Sequence, residues 1–124
     1  MNERSERVVI LGASDKPDRY AYRALVMLGE HGHIVVPVHP KLSEIDGIPV
    51  VAGLEEIDGV VDTLTLYVNP AVGESLADEI IALDPGRVIF NPGTESPVLA
   101  ERLDEAGIPH EEACTLVLLS TGQF

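Results

Sequence analysis

The stretch "RVVILGASDKPDRYAYR", residues 7–23, sets the fold class. Its first five residues are almost continuously apolar and rich in Val and Ile, which is typical of a strand covered on both faces. A loop of Gly and small polar residues follows. The apolar spacing then becomes helical, because Ala21, Ala24, Leu25 and Leu28 share one helix face. The stretch therefore predicts a strand, a turn and a helix from about 19 to 31 that ends at Gly32.

The same alternation continues along the chain. Further strands are predicted at 33–38, 61–68, 87–91 and 108–112, with a short helical turn at 53–57. "NPAVGESLADEIIALDPG" (69–86) predicts a helix capped by Asn69 whose buried stripe is Val72, Leu76, Ile80 and Leu83. "SPVLAERLDEAG" (96–107) repeats that pattern, and the tail 114–124 fits either a helix or a strand.

Strand and helix alternation at this spacing indicates right-handed crossovers between parallel strands. We predict an α/β Rossmann-like open parallel sheet of about five strands, with helices on both faces and strand order 3-2-1-4-5. At 124 residues the chain is long enough for one core, so residues 1–124 are expected to form a single domain.

Composition excludes several classes of function. Eight basic and 21 acidic residues give a net charge of −13, which disfavours nucleic acid and anionic lipid as partners. The apolar runs are too short to cross a membrane. A single cysteine fits a reducing compartment, so we expect a cytoplasmic, acidic protein. The histidines lack the spacing of a metal site, and none is expected.

The scarce cations cluster near two predicted strand ends. In an open parallel sheet, ligands bind beyond the carboxyl ends of the strands. Lys16 and Lys41 are the only lysines, and with Arg19 and Arg23 they follow the first two strands or lie on the helix between them. Polar loops are common on any surface, but so lysine-poor a chain favours an anionic ligand at this edge.

The dinucleotide fingerprint G-x-G-x-x-G is present only in its first glycine, Gly12, since Ser14 and Pro17 occupy the other two positions. After the second strand, NAD-binding chains place an acidic residue that holds the ribose hydroxyls. This chain has His39, Pro40 and Lys41 there. A cation favours a phosphorylated ribose, as in NADP or coenzyme A (CoA), and the spacing does not separate these two.

Four segments together carry a resemblance to a known family: "VVILGASDKPDRYAYR" (8–23), "VVPVHPK" (35–41), "VDTLTLYVNP" (61–70) and "ACTLVLL" (113–119). They resemble the small stand-alone CoA-binding proteins, which are similar to the CoA-binding domain of the succinyl-CoA synthetase alpha subunit. The resemblance implies a CoA ligand. It also implies no ligase chemistry by this chain alone, because the synthetase uses a phosphorylated histidine from a second domain that none of His31, His33, His39 and His110 matches.

The resemblance also implies the site. The turn after the first strand and its cations would approach the CoA phosphates, and the loop after the second strand would flank the adenosine and its ribose phosphate. The loops after the third and fourth strands would line the adenine and the pantetheine arm. The expected ligand-binding residues are Gly12, Ala13, Ser14, Lys16, Arg19, His39, Pro40, Lys41, Tyr67, Val68, Asn69, Pro70, Asn91, Pro92, Gly93 and Thr94. No catalytic residue is expected.

Two other classes of function stay open. The chain is an NADP-dependent enzyme or nicotinamide redox sensor, or it is a regulatory interaction module with a vestigial nucleotide pocket that serves a partner enzyme or self-associates. Cys114 follows the fifth strand, where it either packs as a small apolar residue or forms a mixed disulfide with the CoA thiol.

Overall fold

The computed structural model describes residues 5–124. The chain alternates strands with helices and adds one small hairpin after the second strand. In chain order the elements are β1 Arg7–Leu11, α1 Tyr20–Glu30, β2 Ile34–Val38, β3 Glu44–Ile45, β4 Ile48–Pro49, a 3-10 turn Leu54–Glu56, β5 Thr63–Leu66, α2 Pro70–Ser75, α3 Ala77–Leu83, β6 Arg87–Phe90, α4 Pro97–Glu105, β7 His110–Glu112 and α5 Thr115–Ser120.

Five parallel strands form the main sheet in the order β2-β1-β5-β6-β7. Successive side chains of a strand point to opposite faces. Val9 and Leu11 of β1 accordingly join the core beneath α3, α4 and the 3-10 turn, while Val8 and Ile10 join the core beneath α1 and α5. Helices therefore cover both faces, which confirms the Rossmann-like class.

The predicted strand order is wrong in one respect. Numbered as predicted, the order is 2-1-3-4-5, because the third strand (β5) pairs with β1 rather than lying outside β2. The outer edge of β2 is instead contacted by Val51, whose N–H donates to the Pro37 carbonyl at 3.1 Å. Pro37 itself lacks an N–H, and proline within a sheet is confined to edge strands. That proline was the sequence signal for an edge position.

Two predicted helix starts are confirmed by their caps. The Asn69 side chain accepts from Val72 N–H at 2.9 Å, and the Ser96 hydroxyl accepts from Leu99 N–H at 3.0 Å. The first of these segments is nevertheless two helices, since α2 and α3 meet at Leu76. The break rotates the buried stripe, so Val72 is 39% exposed and not buried as predicted.

The hairpin of β3 and β4 was not predicted. It is tied to α1 by the Tyr22 hydroxyl, which donates to Asp46 at 2.7 Å, and Ile45 buries its side chain in the core beneath α1. The ambiguous tail forms helix α5, which packs against α1. None of the helices within residues 5–124 is long and apolar enough to span a bilayer.

Candidate ligand-binding site

A cavity of about 690 Å³ opens at the carboxyl ends of β1, β2 and β5. We call it the cation cavity, because both lysines of the chain lie on its wall together with one arginine. Its lining residues are Gly12, Ala13, Ser14, Asp15, Lys16, Arg19, Tyr20, Ala21, His39, Lys41, Leu42 and Tyr67. The position agrees with the rule that open parallel sheets bind ligands beside the first strand.

The turn after β1 brings three strand ends together. The N–H groups of Gly12 and Ala13 both donate to the Val38 carbonyl, at 3.3 and 3.1 Å. Gly12 has a φ of +90°, and a Cβ placed there would lie 2.7 Å from the Tyr67 carbonyl oxygen. Only glycine allows so close an approach, so this residue fixes the floor of the cavity.

The loop from Ser14 to Arg19 leads into α1 at the cavity. The Ser14 hydroxyl accepts from Lys16 N–H at 3.1 Å, and the Lys16 carbonyl accepts from Arg19 N–H at 3.0 Å. Arg19 is the N-cap of α1, and its side chain makes no capping hydrogen bond. Because the first N–H groups of a helix have no partner within it, this end of α1 presents backbone donors near Tyr20 and Ala21.

The loop after β2 is organised by a histidine. His39 Nδ1 accepts from Lys41 N–H at 3.0 Å and from Leu42 N–H at 3.2 Å. An imidazole nitrogen that accepts a hydrogen bond carries no proton, so in this turn the ring N–H of His39 is at Nε2. The same bonds fold residues 39–42 into a turn that places Lys41 at the cavity wall.

The cations of the cavity differ from those elsewhere in their pairing. Arg87 lies within 4 Å of the carboxylates of Glu6 and Glu111, and Arg102 pairs with Asp78 at 2.7 Å. Within residues 5–124, no such pair involves the three cations of the cavity. One carboxylate, Asp15, shares the wall with them. The cavity is therefore a locally positive region of a strongly negative chain.

Arg23, the fourth cation placed near this edge by the sequence, does not line the cavity. Its guanidinium lies 5.6 Å from the centre of the Tyr20 ring, in cation–π geometry.

A second cavity of about 210 Å³ adjoins the first, since Tyr20 and Tyr67 line both. Its other lining residues are Asn91, Pro92, Cys114 and Leu116. Cys114 is the N-cap of α5 and is half-buried, so it is neither fully enclosed in the core nor freely exposed.

A buried polar network lies between β5, β6 and α5 beside this cavity. The Asn91 amide nitrogen donates to the Thr65 hydroxyl at 2.6 Å and to the Leu66 carbonyl at 2.8 Å. The Asn91 amide oxygen accepts from Thr115 N–H at 2.9 Å, and the two threonine hydroxyls lie 2.8 Å apart. The network joins the start of α5 to the sheet and uses both ends of the Asn91 amide.

The Tyr67 hydroxyl is buried next to this network. Burial raises the pKa of Tyr67 to about 12, so the phenol is neutral at ordinary pH. No residue within 5–124 makes a hydrogen bond with the Tyr67 hydroxyl, which is buried from solvent. Tyr67 lines both cavities.

Ten of the sixteen predicted site residues line one of the two cavities. Eight lie on the cation cavity, and Asn91 and Pro92 lie on the second. The other six lie outside both walls: Pro40, Val68, Asn69, Pro70, Gly93 and Thr94. Of these, Asn69 and Pro70 begin α2, Val68 packs on the core, and the buried Thr94 hydroxyl donates to the Asn91 carbonyl at 2.8 Å.

Six lining residues are absent from the expected set: Asp15, Tyr20, Ala21, Leu42, Cys114 and Leu116. Cys114 was considered as a partner of the CoA thiol, and Leu116 lies in the segment 113–119 that carries part of the resemblance. Tyr20 and Ala21 had a signal, because they form the first turn of a helix that follows a ligand loop. The position of Leu116 on the wall could not be predicted, because the tail fitted either a helix or a strand.

The sequence model of the CoA binding domain matches residues 6–120. The chain belongs to the CoA-binding domain family. That membership confirms the resemblance found in the four sequence segments, and it applies to almost all of the chain that the structure describes.

Two uncharacterised proteins are similar to this chain over much of its length. A crystal structure of an uncharacterised protein is 45% identical, with a TM-score of 0.91, and covers 98% of this chain and 100% of the other. Uncharacterised protein YneT of Bacillus subtilis (strain 168) is 30% identical over 82 residues, 66% of this chain. That alignment spans 61% of the length of YneT.

The fold also recurs within a larger enzyme. The dinucleotide-forming acetyl-coenzyme A synthetase 1 of Ca. Korarchaeum cryptofilum, in complex with phosphate and ADP, matches 85% of this chain with a TM-score of 0.74. The match covers 25% of the synthetase chain, at 18% identity. At that identity the likeness shows a shared fold.

Proposed function

We propose that this chain is a CoA-binding domain that binds CoA or an acyl-CoA through its strand-end loops, without catalysis of its own. One observation carries the proposal: Lys16, Arg19 and Lys41 line one cavity at the carboxyl edge of the sheet, and no ion pair within residues 5–124 neutralises them. In a chain of net charge −13, such a grouping favours an anionic ligand.

Two kinds of donor would hold the phosphates. The N-terminal N–H groups of α1 and its positive dipole end favour a pyrophosphate near Gly12 and Ser14. Lys16 and Arg19 extend from the same loop and add charge-assisted hydrogen bonds.

Lys41 belongs to a different loop and would meet the phosphate on the ribose. The His39 turn holds the backbone of Lys41 in place, so the cation is presented by an organised loop. His39 itself uses Nδ1 for that turn. It is the only imidazole on the cavity wall, and we assign it a structural role with Nε2–H available to a phosphate oxygen.

The proposal is tested by isothermal titration calorimetry with CoA, dephospho-CoA, NADP and NAD. We expect CoA to bind more tightly than dephospho-CoA, and NADP and NAD to bind weakly. Tight NADP binding without CoA binding would instead support a nicotinamide enzyme or redox sensor. Absence of binding by all four ligands would support an interaction module.

A further inference from the structure

The second cavity differs in chemistry from the cation cavity that it adjoins. Among residues 5–124, no Lys, Arg, His, Asp or Glu side chain lines this wall, and Tyr20, Pro92 and Leu116 present mainly carbon. A part of a ligand that enters it is therefore uncharged, because burying a charge without a partner is costly.

The polar side chains on this wall have little to offer a hydrogen-bonding group. The Asn91 amide already makes three hydrogen bonds, to Thr65, Leu66 and Thr115. The Tyr67 hydroxyl is buried from solvent and is not exposed on the cavity wall. The Cys114 thiol is only a weak donor. An amide of the pantetheine arm would lose its hydrogen bonds to water here without replacing them.

An apolar group makes no hydrogen bonds to water, so its transfer from water into the cavity carries no such cost. A volume of about 210 Å³ corresponds to roughly seven groups of the size of a water molecule, at about 30 Å³ each. That is enough for a thioester with a chain of about four carbons and not enough for a long fatty acyl chain. We infer that the second cavity binds the acyl group of a short-chain acyl-CoA. This inference rests on the proposed CoA binding and goes beyond it by naming the class of acyl group.

The first experiment is a calorimetric series with CoA, acetyl-CoA, butyryl-CoA and decanoyl-CoA. Each buried methylene is worth about fourfold in affinity. We therefore expect butyryl-CoA, with two more methylenes, to bind about fifteenfold more tightly than acetyl-CoA, and decanoyl-CoA to bind no more tightly than butyryl-CoA. Equal affinity for CoA, acetyl-CoA and butyryl-CoA would overturn the inference while leaving CoA binding intact.

The second experiment closes the cavity. Leu116→Trp places a larger side chain at its wall and should remove the advantage of butyryl-CoA while changing the affinity for CoA less than twofold. Val117→Trp is the matched control, because Val117 is the next residue of α5, is 54% exposed and does not line the cavity. It should leave both affinities unchanged.

Leu116→Ala provides an independent check if the tryptophan variant does not fold. With hexanoyl-CoA added to the series, the enlarged cavity of this variant should bind hexanoyl-CoA more tightly than butyryl-CoA. If Leu116→Trp weakens CoA and butyryl-CoA equally, the pantetheine arm rather than the acyl group lies in the cavity, and the inference is wrong. If neither wild-type CoA nor any acyl-CoA binds, the proposed function itself fails.

Discussion

Replacement of Lys41 by alanine tests the ribose phosphate of CoA separately from its pyrophosphate. At about 4 Å, a lysine and a phosphate oxygen interact by about 1 kcal/mol in bulk water and about 4 kcal/mol at an effective dielectric constant of 20. Lys41 is exposed on an open wall, which places its interaction toward the lower value. We therefore expect Lys41→Ala to cost about 1–2 kcal/mol for CoA, or about 5- to 30-fold in Kd.

The assay is a double comparison by calorimetry at low salt. Dephospho-CoA lacks the ribose phosphate, so Lys41→Ala should change its Kd by less than about twofold. Lys16→Ala is the matched control, since the chain's other lysine lies beside the turn proposed for the pyrophosphate that both ligands carry. It should weaken both ligands equally. An equal loss of CoA and dephospho-CoA in Lys41→Ala would refute the assignment of Lys41 to the ribose phosphate.

Three further predictions concern stability. Gly12→Ala should lower the unfolding free energy by about 2–4 kcal/mol, because the new Cβ would lie 2.7 Å from the Tyr67 carbonyl oxygen. Gly93→Ala is the control, since Gly93 has a φ of +92° but open space around it, and it should lower the unfolding free energy by only about 1–2 kcal/mol. Thermal unfolding measures both, and equal losses would contradict the reasoning. Asn91→Ala should lower the unfolding free energy measured by urea denaturation by about 2–4 kcal/mol, because it leaves the buried hydrogen-bond partners of Asn91 unsatisfied. A loss below about 1 kcal/mol would show that those groups form other hydrogen bonds. Burial raises the pKa of Tyr67 to about 12, from 10 in the unfolded chain. As the pH rises, the unfolded state therefore loses the phenol proton before the folded state does. The unfolding free energy should fall by up to about 1.4 kcal/mol per pH unit between pH 10 and 12. Tyr67→Phe should remove this contribution to the pH dependence of the unfolding free energy, measured by denaturation between pH 10 and 12. An unchanged pH dependence would show that other groups cause it.

Local patterns predicted most of the elements of this fold. Apolar runs marked the main strands, and Asn69 and Ser96 marked helix starts that their hydrogen bonds confirm. These features were readable because a cap or a buried strand depends on residues within a few positions of one another. The break between α2 and α3 at Leu76 could not be predicted, because the apolar spacing on either side of it still fits one continuous helix.

The positions of the lysines and of the glycine turn were likewise available from the sequence. Parallel strands present their carboxyl ends at one edge, so residues that follow β1 and β2 meet once the sheet exists. This topological rule brings Lys16 and Lys41 to one cavity although 25 residues separate them along the chain.

The tertiary structure alone decided which strand lies beside β1 and what completes the site. Strand order depends on how the 39–62 connection crosses the sheet, and that path is set by contacts such as Val51 on β2. The second cavity depends on α5, which the Asn91 network holds against the sheet. Packing and hydrogen bonds between residues far apart in the chain leave no periodic signal in it. For that physical reason the cation cavity could be predicted from the strand ends, whereas the part that helix α5 plays in the second cavity could not.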